Sequence, residues 1–117
     1  MKPVSVILSS EAEEVYKHLN SKALSSKVER SILNSINNKI ELIKMNPHYG
    51  IPIEKRLIPQ EYKTKYGITN LFRVELSNFW RMLYTMTNDE MEVEIIAFVL
   101  DITDHGIYDK KFHYRKR

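Results

Sequence analysis

The sequence predicts an α+β fold: an N-terminal strand and a helical hairpin packed on an antiparallel β-meander, followed by a short C-terminal helix. Three observations predict it. Residues 71–85 alternate strictly, with Phe72, Val74 and Leu76 against Arg73 and Glu75, and with Trp80, Met82 and Tyr84 against Arg81 and Thr85. That period of two marks strands with one buried and one open face. Ile95-Ile96-Ala97-Phe98-Val99-Leu100 is an unbroken apolar run bounded by acidic residues, which fits a strand covered on both faces at the centre of the sheet. Upstream, two stretches carry apolar residues at helical spacing, each opened by a Ser-x-x-Glu pattern.

Taken in order, Pro3–Leu8 reads as a first strand that joins the sheet at an edge or beside the central strand. Ser10-x-x-Glu13 is the capping box of a first helix, with Val15, Leu19 and Ala23 on one face and Tyr16 beside them. Ser26-x-x-Glu29 opens a second helix whose stripe is Val28, Ile32, Ile36, Ile40 and Ile43. This helix stops near Met45-Asn46, because the ring of Pro47 disfavours helix at the residue before it. Residues 47–70 are punctuated by prolines and glycines and read as a long loop with short local structure, a kind of segment that often carries function. A three-residue turn at Ser77-Asn78-Phe79 sets Leu76 against Trp80, Val74 against Met82 and Phe72 against Tyr84. The same register places Glu75 opposite Arg81, and a one-residue slip would mix the faces. The helical hairpin is expected over Phe72, Val74, Trp80 and Met82, with Arg73 and Arg81 on the opposite face.

A chain of 117 residues reads as one domain, residues 1–117, with a basic tail at 113–117 that need not be ordered. No apolar run is long enough to span a bilayer and no charged-then-apolar signal segment opens the chain, so a cytoplasmic protein with no membrane partner is expected. Cysteine is absent, which removes disulfides and thiolate metal sites. His18, His48 and His113 lack partners at metal-ligand spacing, so neither metal nor cofactor is expected.

The net charge of +3 is unevenly spread. Residues 73–108 hold two arginines against seven carboxylates, flanked by a basic loop (Lys55, Arg56, Lys63, Lys65) and a basic end (Lys110, Lys111, Arg115, Lys116, Arg117). Clustered lysine and arginine are the footprint of a polyanion binder, and equally of a solvated surface. Tyr62 and Tyr66 interleave with Lys63 and Lys65, a weak RNA-contact pattern. Trp80 and Tyr84 read as core.

With the element order in place, three motifs carry a likeness. The hairpin Arg73 … Trp80-Arg81-x-x-Tyr84, the strand Ile95–Ile102 and the closing Asp104-His105-x-x-Tyr108 resemble the RelE/ParE superfamily of toxins from type II toxin–antitoxin pairs. The likeness spans nearly the whole chain in element order, and in motifs only 73–84 and 98–108. Many RelE-like members are ribosome-dependent endoribonucleases that cut messenger RNA and inhibit translation; ParE-type relatives inhibit DNA gyrase. The resemblance implies a cognate antitoxin, the ribosome and mRNA as partners, with homodimerisation left open. It implies that Arg81 contacts the scissile phosphate, that His105 is a general acid or base, and that Tyr108 stacks on RNA or assists proton transfer. Arg73 matches a basic residue on the first meander strand and, with the basic loop, Lys110 and Lys111, would bind RNA. Glu75 departs from the pattern, since some strongly active members are basic nearby. Paired with Arg81, it either orients the guanidinium, acts as the base, or neutralises the site.

The chemistry suits these residue types without the family. Metal-independent RNA cleavage needs a base for the 2′-hydroxyl proton, a cation for the phosphorane charge and an acid for the leaving oxygen. Imidazole titrates near neutrality, and guanidinium grips phosphate through two donors. Three readings stay open: the nuclease toxin, a toxin-fold inhibitor of a protein such as gyrase, and an inactive binding protein.

Overall fold

The computed structural model describes residues 2–88, 91, 93–104 and 112. Among them the order is β1 (Val4–Leu8), α1 (Ser10–Lys22), α2 (Lys27–Met45), β2 (Ile51–Pro52), α3 (Gln60–Tyr66), β3 (Phe72–Glu75), β4 (Arg81–Asn88) and β5 (Ile95–Thr103). The expected short C-terminal helix and the tail at 113–117 lie outside the described residues. The five strands form one mixed sheet in the order β1-β5-β4-β3-β2. β1 runs parallel to β5 and every other pair is antiparallel.

The hairpin adopts the register that the alternation selects: Phe72 faces Tyr84, Val74 faces Met82 and Glu75 faces Arg81. The turn between them spans Ser77–Phe79, and Asn78 and Phe79 both take positive φ (58° and 63°), in the left-handed region. The apolar run of β5 is an interior strand, but it is not the middle one. β1 joins it on the outer side, which leaves β4 at the centre with both faces buried from Met82 to Thr85. A bulge between β4 and β5 pairs Leu83 with Asp101 and Tyr84 with Val99. The extra residue, Leu100, turns with Leu83 toward the face away from the helical hairpin.

Two caps differ in an instructive way. Helix α1 is capped by Ser9 and not by Ser10: Ser9 Oγ accepts the Ala12 N–H at 3.0 Å and donates to the Leu100 carbonyl at 2.7 Å. Either serine could cap, and the bond to β5 selects Ser9. Ser26 caps α2 as expected, accepting the Glu29 N–H, and the helix ends at Met45 with Asn46 as its C-cap. Ile32, Ile36 and Ile43 of the expected stripe are buried and Ile40 packs against them, but Val28 is half exposed and Leu33 takes a place in the core.

The helical hairpin packs Ala12, Leu19, Ile32, Ile36 and Ile43 against Phe72, Val74, Met82, Tyr84, Ala97 and Val99. The opposite face, expected to be open, carries a second apolar cluster: Ile58, Tyr62, Leu71, Leu83 and Leu100, with Ile53, Tyr66, Ile68, Phe98 and Phe112 around it. Residues 53–68 supply the cover. They hold a 3₁₀ turn at Lys55–Leu57 and the short helix α3, whose end is marked by Gly67 in the left-handed region (φ 62°). Tyr62 is therefore a core residue, 3% exposed, and its ring cannot be the RNA contact that its basic neighbours suggested. No helix among the described residues is long and apolar enough to cross a membrane.

Candidate functional site

Arg73, Glu75 and Arg81 project from the sheet face opposite the helical hairpin, as strand periodicity requires of residues that alternate with Phe72, Val74 and Met82. The turn that joins their strands is fixed from behind by α2: Ser31 Oγ donates to Ser77 Oγ at 3.1 Å, and the Ser77 N–H donates to Ser35 Oγ at 3.3 Å. The strand positions carrying Glu75 and Arg81 are thereby held by the second helix.

Glu75 bridges the two arginines. Its Oε2 lies 3.2 Å from Arg73 Nε, and its Oε1 lies 3.1 Å from Arg81 Nη1. Arg81 Nη1 also donates to the Phe79 carbonyl at 3.3 Å. Only 14% of the Arg81 side chain is exposed, against 27% for Arg73 and 52% for Glu75. The carboxylate is the solvent-facing member and the guanidiniums lie deeper. Glu75 lies within ion-pair distance of both guanidiniums, so an arriving phosphate oxygen would compete with this carboxylate for them.

On its other side Arg81 stands across from Thr103, the last residue of β5. Thr103 is 4% exposed, and its hydroxyl has no hydrogen-bond partner among the described residues. His105, Tyr108, Lys110 and Lys111 lie outside the described residues. The structure brings together Arg73, Glu75 and Arg81 of the expected site.

The basic loop resolves into residues in different settings. Lys55 and Arg56 sit in the exposed 3₁₀ turn, where Arg56 Nε lies 2.8 Å from Glu54. Lys63 is exposed on α3. Lys65 is committed to an ion pair with Glu11 of α1, and Tyr66 Oη donates to the same carboxylate at 2.9 Å. That pairing joins α3 to α1 across an exposed ion pair, with about half of each side chain in solvent.

Two contacts near this face were not foreseen. Tyr62 Oη donates to Asp101 Oδ2 at 2.7 Å. Burial first, then the adjacent Asp101 charge and its hydrogen bond, push the Tyr62 phenol well above the usual tyrosine range. At the far edge of the sheet, Lys39 of α2 and Tyr49 line a cavity of about 250 Å³ together with Arg73 and Glu75. A second groove, of about 360 Å³, runs along Ile7, Tyr66, Ile68, Thr85, Ile96 and Phe98, and none of the candidate arginines lines it. Among the described residues no three His, Asp or Glu side chains are grouped to hold a metal ion.

Comparison with protein-family models, curated proteins and solved structures returned no match for this chain.

Proposed function

We propose that the chain is a RelE-like toxin of a type II toxin–antitoxin pair, an endoribonuclease that cleaves messenger RNA on the ribosome without a metal. The observation that carries the reading is Arg81, largely buried and held by Glu75 and the Phe79 carbonyl on a braced hairpin. A guanidinium placed in advance stabilises phosphorane charge without reorganising during the reaction. In the proposed reaction the 2′-oxygen attacks phosphorus and the bond from phosphorus to the 5′-oxygen breaks. A base takes the 2′-hydroxyl proton and an acid returns one to the leaving oxygen, giving a 2′,3′-cyclic phosphate and a 5′-hydroxyl end. Arg81 binds the phosphate, and Arg73 adds positive charge beside it. The resemblance assigns His105 a proton-transfer role and Tyr108 the nucleotide. Glu75, 3.1 Å from Arg81 and half exposed, is placed to serve as the base.

One observation favours a second reading. Glu75 engages both arginines, which lowers the positive charge open to a phosphate and suits a toxin-fold protein that binds a protein target such as gyrase, or an inactive binding protein. Incubating messenger RNA with the chain, in reactions with and without translating ribosomes, and mapping new 5′ ends separates them. Ends that appear only with ribosomes support the nuclease. Message that stays intact in both reactions supports the binding protein.

A further inference from the structure

The turn after α2 exposes an aromatic ring on a backbone that is pinned on both sides. Tyr84, fully buried in β4, donates its hydroxyl to the Pro47 carbonyl at 2.7 Å and accepts the Gly50 N–H at 3.0 Å. Asn46 accepts the Tyr49 N–H on its carbonyl at 2.9 Å and the His48 N–H on its side chain at 3.1 Å. Gly50 packs so closely that a Cβ there would stand 2.9 Å from the Tyr84 ring. Between these anchors Tyr49 keeps 40% of its surface exposed. Lys39 Nζ lies 3.2 Å from its hydroxyl oxygen and 5.5 Å from its ring centroid, so the ammonium is displaced toward the hydroxyl end of the ring. The ring, the ammonium and Arg73 border one cavity of about 250 Å³, and Glu75, which also lines it, lies 3.1 Å from Arg81 Nη1.

We infer that this cavity is a nucleotide subsite, in which Tyr49 stacks on one base of single-stranded RNA while Lys39 and Arg73 meet the phosphates on either side of it. The inference deepens the reading above and rests on it for the direction of the strand, from this edge of the sheet toward Arg81. A fixed aromatic ring stacks on any base at little ordering cost, and cations flanking it follow the backbone. An acidic peptide would use Lys39 and Arg73 but would leave the ring without a role.

The test uses the full chain and fluorescence anisotropy, with a short single-stranded oligoribonucleotide, the same oligomer built with abasic riboses, free 5′-mononucleotides and an acidic peptide as probes. Tyr49→Leu, which keeps an apolar side chain, should weaken oligomer binding about tenfold, and Tyr49→Phe should bind like the unaltered chain. Neither should change the abasic oligomer. Lys39→Gln should lower the log–log salt slope by about 0.7. Thermal melting checks that each variant folds. Equal binding of base-bearing and abasic oligomers, mononucleotides binding as tightly as the oligomer, or loss of the acidic peptide alone in Lys39→Gln would each overturn the subsite. A chain that cuts no message yet shows the ring-dependent binding keeps the subsite and loses the nuclease. A chain that cuts on the ribosome, with Tyr49→Leu binding RNA unchanged, does the reverse.

Discussion

Glu75 stands directly across the hairpin from Arg81, and their side chains meet at 3.1 Å, with the carboxylate exposed and the guanidinium largely covered. The register of two strands thus decides how much positive charge the site presents. A phosphate must displace Glu75 from Arg81 or share it.

Glu75→Gln tests that competition. It removes the anion but keeps a polar side chain of the same shape between the arginines. RNA affinity should rise and its salt dependence should steepen, because more positive charge is then neutralised by phosphate. Folding stability should fall by roughly 1 kcal/mol or less in urea titration, as expected when a half-exposed ion pair is lost. An unaltered salt slope would show that Glu75 does not compete with phosphate.

Alkaline pH should unfold the protein through its buried tyrosines. Burial and Asp101 raise Tyr62, and burial raises Tyr84 with the Gly50 N–H partly opposing it. A phenol raised in the folded state contributes its full stability below the unfolded value near 10 and loses it as pH rises above that value. The unfolded chain ionises while the folded one does not, so each group should cost about 1.4 kcal/mol per pH unit there. Tyr62→Phe should remove one such slope, at the cost near neutrality of one hydrogen bond, about 1 kcal/mol. Urea titrations across that pH range read both. A Tyr62→Phe chain with the same alkaline slope would refute the assignment.

Two glycines should respond for different reasons. At Gly50 a Cβ would lie 2.9 Å from the Tyr84 ring and 3.1 Å from both the Arg73 carbonyl and Phe72 Cβ. Gly50→Ala should therefore destabilise by ~1–3 kcal/mol through overpacking, and disturb the turn that presents Tyr49. At Gly67 a Cβ would meet nothing within 4 Å, but φ is 62°. Gly67→Ala should cost ~1–2 kcal/mol from backbone strain alone and leave RNA affinity unchanged. Denaturation and binding measured on both variants separate the two effects.

The hairpin and its register were legible because a period of two leaves one way to keep charged and apolar residues apart. The helices were legible from their stripes. The rest depended on contacts between distant segments. The apolar run of β5 says that both faces are covered, but its place in the sheet follows from parallel pairing with β1, which nothing local encodes. The cover over the second face comes from Ile53, Ile58, Tyr62 and Ile68, scattered among Pro52, Pro59 and Gly67 in elements too short to show a period. Tyr62 looked like a surface residue because its neighbours are charged, whereas its hydroxyl is satisfied by Asp101, 39 positions away. Of the site, the Arg73–Glu75–Arg81 group could be read directly from the register. Lys39 and Tyr49 could not, since they lie on either side of a helix end and meet only because Tyr84 anchors the turn between them.

The most direct test is the rate of ribosome-dependent message cleavage by the unaltered chain and by Arg81→Ala, read by primer extension at matched protein concentration. The side chain is removed from a sheet face where it contacts Glu75 and a turn carbonyl, so the variant should fold. The account predicts cleavage by the unaltered chain and a loss of about 10²–10³ in rate for the variant, the usual effect of removing one preorganised electrostatic contact. A folded Arg81→Ala chain that cleaves at the unaltered rate, or an unaltered chain that leaves the message intact on translating ribosomes, would contradict it.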